Sequence, residues 1–102
     1  MNTSGMDGRQ LLEEYERRMA TETEQPTMEM LLLHELSDGQ WHSARQLAVV
    51  VSHRFGAYLW TLHHKHGVRY DVEEDTTAPR GKRWFRYRLT SLDGAPTDGR
   101  LF

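Results

Sequence analysis

The chain is 102 residues long, carries no cysteine and has a formal net charge of −2. That length builds one small core and leaves no room for a large catalytic cleft. Without cysteine there is no disulfide framework, thiolate metal site or cysteine nucleophile, which fits a reducing compartment. No apolar run approaches the roughly 18 to 20 residues of a membrane span, and the N-terminus lacks the basic and apolar regions of a signal peptide. The expectation is a soluble cytoplasmic protein with no membrane contact.

The acidic excess sits at one end. Residues 1–26 hold three Arg against six Asp or Glu, whereas residues 27–102 hold ten Lys or Arg against nine acids. Arg80, Lys82, Arg83, Arg86 and Arg88 fall close together, so local potential is positive there although the total is not.

In chain order, residues 1–8 are small, polar and glycine-containing, and predict a disordered tip. From Arg9 to about Ala20, Leu12, Tyr15 and Met19 recur at helical spacing among Glu13, Glu14, Glu16, Arg17 and Arg18, predicting an amphipathic helix with a narrow stripe. Such a stripe suits first a helix packed on its own domain, and second an arm through which residues 9–20 join two copies. Thr21 to Pro26 reads as a polar linker, so residues 9–26 are set apart from a main domain over 27–91.

Thr27 can cap the next helix, whose Met28, Leu31, Leu32 and Leu36 share a face, and Ser37-Asp38-Gly39 ends it. Gln40-Trp41-His42 suits a short pairing strand with Trp41 turned inward. Ser43 caps a further helix, with Gln46 completing a capping box and Leu47, Val50 and Val51 on the buried side. Ser52 can cap again; Phe55, Leu59 and Leu62 then line a helix that Gly67 stops. Val68, Tyr70 and Val72 alternate with Arg69, Asp71 and Glu73 as a half-buried strand. After a polar loop holding Pro79 and Gly81, Phe85, Tyr87 and Leu89 alternate with Trp84, Arg86 and Arg88 as its antiparallel partner. In that register the first three are buried and the two arginines exposed. Residues 92–102 read as a tail.

Two short helices joined by a tight turn and followed by a hairpin define an α+β winged helix-turn-helix: a three-helix core, a C-terminal β-hairpin wing and an extra N-terminal helix. The helix after Ser52 has the size to enter a major groove. With Phe55, Leu59 and Leu62 inward, its outer arc carries His53, Arg54, Ala57, Tyr58, Thr61, His64 and Lys65. Arg54 can take guanine O6 and N7 or a phosphate, Thr61 can reach a base edge, Ala57 keeps the backbone close, and Lys65 can neutralise phosphate. The loop Arg80-Gly81-Lys82-Arg83 is a basic tip able to cross the backbone or probe a minor groove. Any amphipathic helix has a polar outer face and any loop can be solvated, and the acids Glu73-Glu74-Asp75 oppose phosphate.

The residues Leu-Leu-Leu-His-Glu-Leu-Ser-Asp-Gly-Gln-Trp-His-Ser-Ala-Arg-Gln-Leu-Ala at 31–48 resemble the opening of winged-helix domains such as the N-terminal DNA-binding domain of biotin repressors. The segment 52–68, followed by Trp-Phe-Arg-Tyr-Arg-Leu, is similar to small winged helix-turn-helix proteins of phages and bacteria. The resemblance spans about Thr27 to Leu89 and departs at His63, where many such proteins carry Arg. It implies sequence-specific binding of double-stranded DNA at Arg54, Ala57, Tyr58, Thr61 and the wing, by a transcriptional regulator or phage accessory factor. Winged helices also serve as protein–protein modules, which is the alternative.

His63, His64 and His66 are dense, yet neighbouring helical residues point about 100° apart and do not converge on one ion. His34-Glu35 lacks the second histidine of a zinc-protease motif, and no phosphate loop or serine elbow is present. No catalytic residue, metal or cofactor is expected. Trp41 and Trp84 suit the core or its rim, and Trp60 the core rim.

Overall fold

The computed structural model describes residues 6–76, 79–81 and 83–92. Residues 1–5 of the expected disordered tip, the tail beyond Leu92 and the loop residue Lys82 lie outside them, whereas Asp7 and Gly8, also expected in that tip, are the cap and the buried first residue of a helix. The chain folds as α1 (Gly8–Thr21), α2 (Met28–Leu36), β1 (His42–Ser43), α3 (Ala44–Val50), α4 (Phe55–His66), β2 (Arg69–Asp75) and β3 (Trp84–Ser91). The strands form one antiparallel sheet in the order β1-β3-β2. This is an α+β fold of four helices and a three-stranded sheet, a layout consistent with a winged helix preceded by an extra helix. No helix among the described residues is long and apolar enough to cross a membrane.

Local chemistry sets the helix ends. Asp7 accepts from the Gln10 N–H at 2.8 Å while Gln10 accepts from the Asp7 N–H at 3.0 Å, a reciprocal cap that starts α1. Thr27 Oγ1 accepts from Met30 N at 3.2 Å to start α2, and Ser43 Oγ from Gln46 N at 3.0 Å to start α3. Ser52 is not the cap of α4: Arg54 holds that position, and its N–H donates to Ser52 Oγ at 3.1 Å within the turn. Gly67 ends α4 at φ 69°, a left-handed conformation open to glycine at no steric cost.

The core is largely leucine: Leu11, Leu32, Leu33, Leu36, Leu47, Leu59 and Leu62, with Met30, Phe55 and Val68. Burying one such side chain contributes about 1.5–3 kcal/mol. Several faces differ from the periodic reading. In α2 the buried set is Met30, Leu32, Leu33 and Leu36, while Met28 is exposed and Leu31 half-buried, because α1, α4 and the sheet all pack on this helix. Val50 is exposed and Val51 half-buried, since α3 packs through a single turn around Leu47.

The N-terminal helix also turns differently. Leu11 is 1% exposed in the shared core, whereas Met19 of the expected stripe is 50% exposed. Leu12 and Tyr15 pack against the core instead of forming a free seam, and Tyr15 stacks on His34 of α2 with centroids 4.6 Å apart. Glu14 and Arg18 are buried on the Leu11 side and pair at 2.9 Å, and Arg18 Nη1 donates to Gln25 O at 3.0 Å. Charged residues thus occupy a buried face, which hid it from hydrophobic periodicity. Helix α1 is built into the same core as the residues from Thr27 onward.

In the sheet, His42 pairs with Tyr87 and Ser43 with Arg86, while Tyr70 pairs with Leu89 and Val72 with Tyr87. Cross-strand partners share a face. His42 therefore points inward with Tyr87, and Trp41 points outward, the reverse of the expected orientation. Tyr87 and Leu89 pack on the core, Tyr87 meeting Phe55 edge-on at 5.4 Å. Phe85 lies nearer the wing tip and is only half-buried. Arg86 and Arg88 are also half-buried, because both lie over the Trp41 ring, at 5.2 and 4.6 Å. Val72 is exposed on the edge strand.

Candidate nucleic-acid interface

From His53 to His66 the chain has no acidic residue. Phe55, Leu59, Leu62 and His66 anchor α4 in the core, and the His66 Nδ1–H donates to Met6 O at 2.8 Å. His63 Nδ1–H donates to Val68 O at 3.0 Å, tying the helix to the approach to β2. These contacts fix the rotation of α4 about its axis and so decide what it presents outward. Among the described residues no group of three or more His, Cys, Asp or Glu is placed to hold a metal ion.

Of the expected groove residues, His53, Arg54, Ala57 and Lys65 are exposed, and Thr61 and His64 half-buried. Tyr58 is also half-buried and leans on the core, so only part of it faces solvent. The Thr61 hydroxyl donates to Ala57 O at 3.2 Å, which uses its proton and leaves its methyl and its acceptor lone pairs. His64 lies against Trp60 at 4.3 Å and edge-on to His63 at 4.9 Å. No side chain caps the N-terminus of α4 among the described residues; backbone carbonyls serve instead, Phe55 N donating to Ser52 O at 3.0 Å and Ala57 N to Arg54 O at 2.9 Å.

Trp60 was assigned to the core rim by sequence, yet it is 51% exposed on the outward face. The signal was present in the spacing: Gly56, Trp60 and His64 stand four apart, as do His53, Ala57 and Thr61, and both rows lie opposite Phe55 and Leu59. A bulky apolar residue on that side resembles core only while the helix rotation is unknown.

The wing differs electrostatically from α4. Arg88 pairs with Asp71 at 2.8 Å, Arg86 with Glu73, and Arg83 with Glu74 at 3.5 Å while lying over the Phe85 ring at 5.7 Å. The hairpin register sets Asp71 and Glu73 opposite Arg88 and Arg86, so these two arginines are paired within the sheet. Arg80 is exposed near the tip. Arg54 and Lys65 have no acidic partner among the described residues. Arg45 on α3 lies over Trp84 at 4.7 Å, a contact that sequence gave no reason to expect.

Comparison with family models, with curated proteins and with solved structures gave no match.

Proposed function

We propose that this chain is a non-catalytic winged-helix protein that binds double-stranded DNA, with α4 in the major groove and the wing on adjacent backbone, as a small transcriptional regulator or phage-type accessory factor. The observation that carries this reading is the acid-free, unpaired basic face of α4, with Arg54 at its N-terminal end and Lys65 near its C-terminal end. An arginine at the positive end of a helix dipole favours phosphate, and its guanidinium can also take guanine O6 and N7. The paired wing arginines move the weight of the interface from the hairpin to the helix. His53, Ala57, Thr61 and His64 complete the helical face, and Arg80, Lys82 and Arg83 form the wing contact.

The test is binding of the full chain to random-sequence duplex between about 50 and 200 mM salt, where each neutralised phosphate adds about −0.9 to the log–log slope. Three or four contacts give a slope near about −3. Absence of binding at the lowest salt removes the reading. A second reading, a winged-helix module that binds protein, is favoured by one observation: Val49 is 85% exposed next to exposed Val50, and both border a hollow closed by Trp84, Arg45 and Asp75. That reading predicts no salt-dependent DNA binding.

A further inference from the structure

We propose that the outward face of α4 recognises a pyrimidine C5-methyl group in the major groove; this rests on the DNA reading above and deepens it. The side chains at the centre of that face are engaged with the helix itself. The Thr61 hydroxyl is held by Ala57 O, and the His64 ring is covered by Trp60 and His63. The centre of the face is therefore chiefly apolar: the Ala57 methyl, the Thr61 γ-methyl and the exposed part of the Trp60 indole, with Gly56 keeping the backbone low. Donors flank this surface: His53 and Arg54 stand before it and Lys65 after it.

A face of this kind discriminates among base pairs. In the major groove guanine, adenine and cytosine offer donors and acceptors, and thymine adds an apolar C5-methyl. Seated on an unmethylated G·C pair, the apolar centre of α4 desolvates base donors and acceptors with no buried methyl to offset the cost. Seated on thymine it buries a methyl against methyl and indole. 5-Methylcytosine presents the same methyl on a different pair. The arrangement therefore favours a methyl-bearing pyrimidine beneath Ala57, Trp60 and Thr61, with a guanine or phosphate for Arg54 at the N-terminal end.

The experiment uses the full chain and a duplex selected from a random library, prepared also with uracil in place of every thymine and, separately, with its cytosines methylated at C5. Uracil keeps every hydrogen-bonding group and removes only the methyl. Affinity should fall about fourfold per methyl contacted, the equivalent of about 0.8 kcal/mol per buried carbon. A gain on cytosine methylation with no loss on uracil substitution assigns the same chemistry to 5-methylcytosine. Thr61→Ser, which keeps the hydroxyl, and Trp60→Ala should each bring the ratio of affinities for the methyl-bearing and methyl-free duplexes closer to one, whatever they do to binding of the methyl-free duplex itself. Equal binding to all three duplexes overturns the inference and leaves DNA binding standing. A methyl effect undiminished in both variants overturns its assignment to α4. No binding to any duplex overturns both this inference and the function it rests on.

Discussion

Asp38, just past the end of α2, and His42, the first residue of β1, are joined by a hydrogen bond of 2.9 Å between Oδ1 and Nε2. His42 is buried, and its Nδ1 has no hydrogen-bond partner among the described residues. Because an ionised carboxylate only accepts, Nε2 carries the proton and donates it. The same Asp38 oxygen accepts from Gln40 N at 2.9 Å, so one side chain fixes both the turn and the inward imidazole. Asp38→Ala removes the ring's hydrogen bond and leaves only the Glu35 carboxylate, 3.7 Å from Nδ1, beside it, and should destabilise the fold by about 1–3 kcal/mol, measured by urea unfolding.

Acid should act through two carboxylates. The His42 bond, with the Gln40 amide second, holds Asp38 below its ordinary value of 3.8. Hydrogen bonds from Arg17 and then Arg18 hold Glu14 at about 2 against an ordinary 4.5. A carboxyl depressed by folding adds stability that is fully present above its unfolded value and lost as pH falls through its folded one. The contribution from these two groups should thus be constant above pH about 5 and decline from there toward about 2. Thermal unfolding across that range checks this, and Glu14→Gln should flatten the decline.

Leu11→Ala should cost about 2–5 kcal/mol, the range for truncating a buried leucine. Were α1 an independent arm, the change would leave unfolding untouched. By the same argument, deletion of residues 1–22 should abolish cooperative unfolding instead of releasing a folded monomer, as a calorimetric scan would record.

Gly8 opens α1 against the end of the sheet, its N–H donating to Leu92 O at 3.0 Å. A Cβ there would sit 2.7 Å from Val68 Cγ2 and 2.8 Å from Leu92 O. Alanine is the better helix former by about 1 kcal/mol, but a backbone carbonyl yields less readily than a side chain. Gly8→Ala should therefore be net destabilising, by about 1–3 kcal/mol, the range for overpacking. A rise in the unfolding midpoint would mean that this junction is loose.

Arg54→Ala should weaken binding to a selected duplex by about 1–3 kcal/mol and relax preference at one position, whereas Lys82→Ala, between β2 and β3 in the sequence, should lower the salt slope by about one unit. Arg88→Ala should leave affinity unchanged, because Asp71 and the Trp41 ring already engage that guanidinium, and should alter tryptophan fluorescence instead. Anisotropy titrations of the three variants separate these outcomes, and unchanged affinity for both Arg54→Ala and Lys82→Ala would refute the groove assignment.

The starts of α2 and α3 and the stop of α4 were legible in the chain because each is made by groups a few residues apart, Thr27 with Met30, Ser43 with Gln46, and Gly67 at its left-handed φ, whereas the starts of α1 and α4 were not. The inward alternation of Tyr87 and Leu89 was legible for the same reason, as a strand's two faces differ at every second residue. The orientation of whole elements was decided by tertiary structure. Pairing of His42 with Tyr87 turned Trp41 outward, and neutralisation of Arg86 by Glu73 depends on a register between strands. The burial of Glu14 and Arg18 depends on α2 covering a charged face, which apolar periodicity does not mark. Trp60 reached the outward side of α4 because Phe55, Leu59, Leu62 and His66 were claimed by the core. A sequence determines where a helix starts and stops through local hydrogen bonds, but its rotation is a competition among faces, and that is settled only when the rest of the chain packs against one of them.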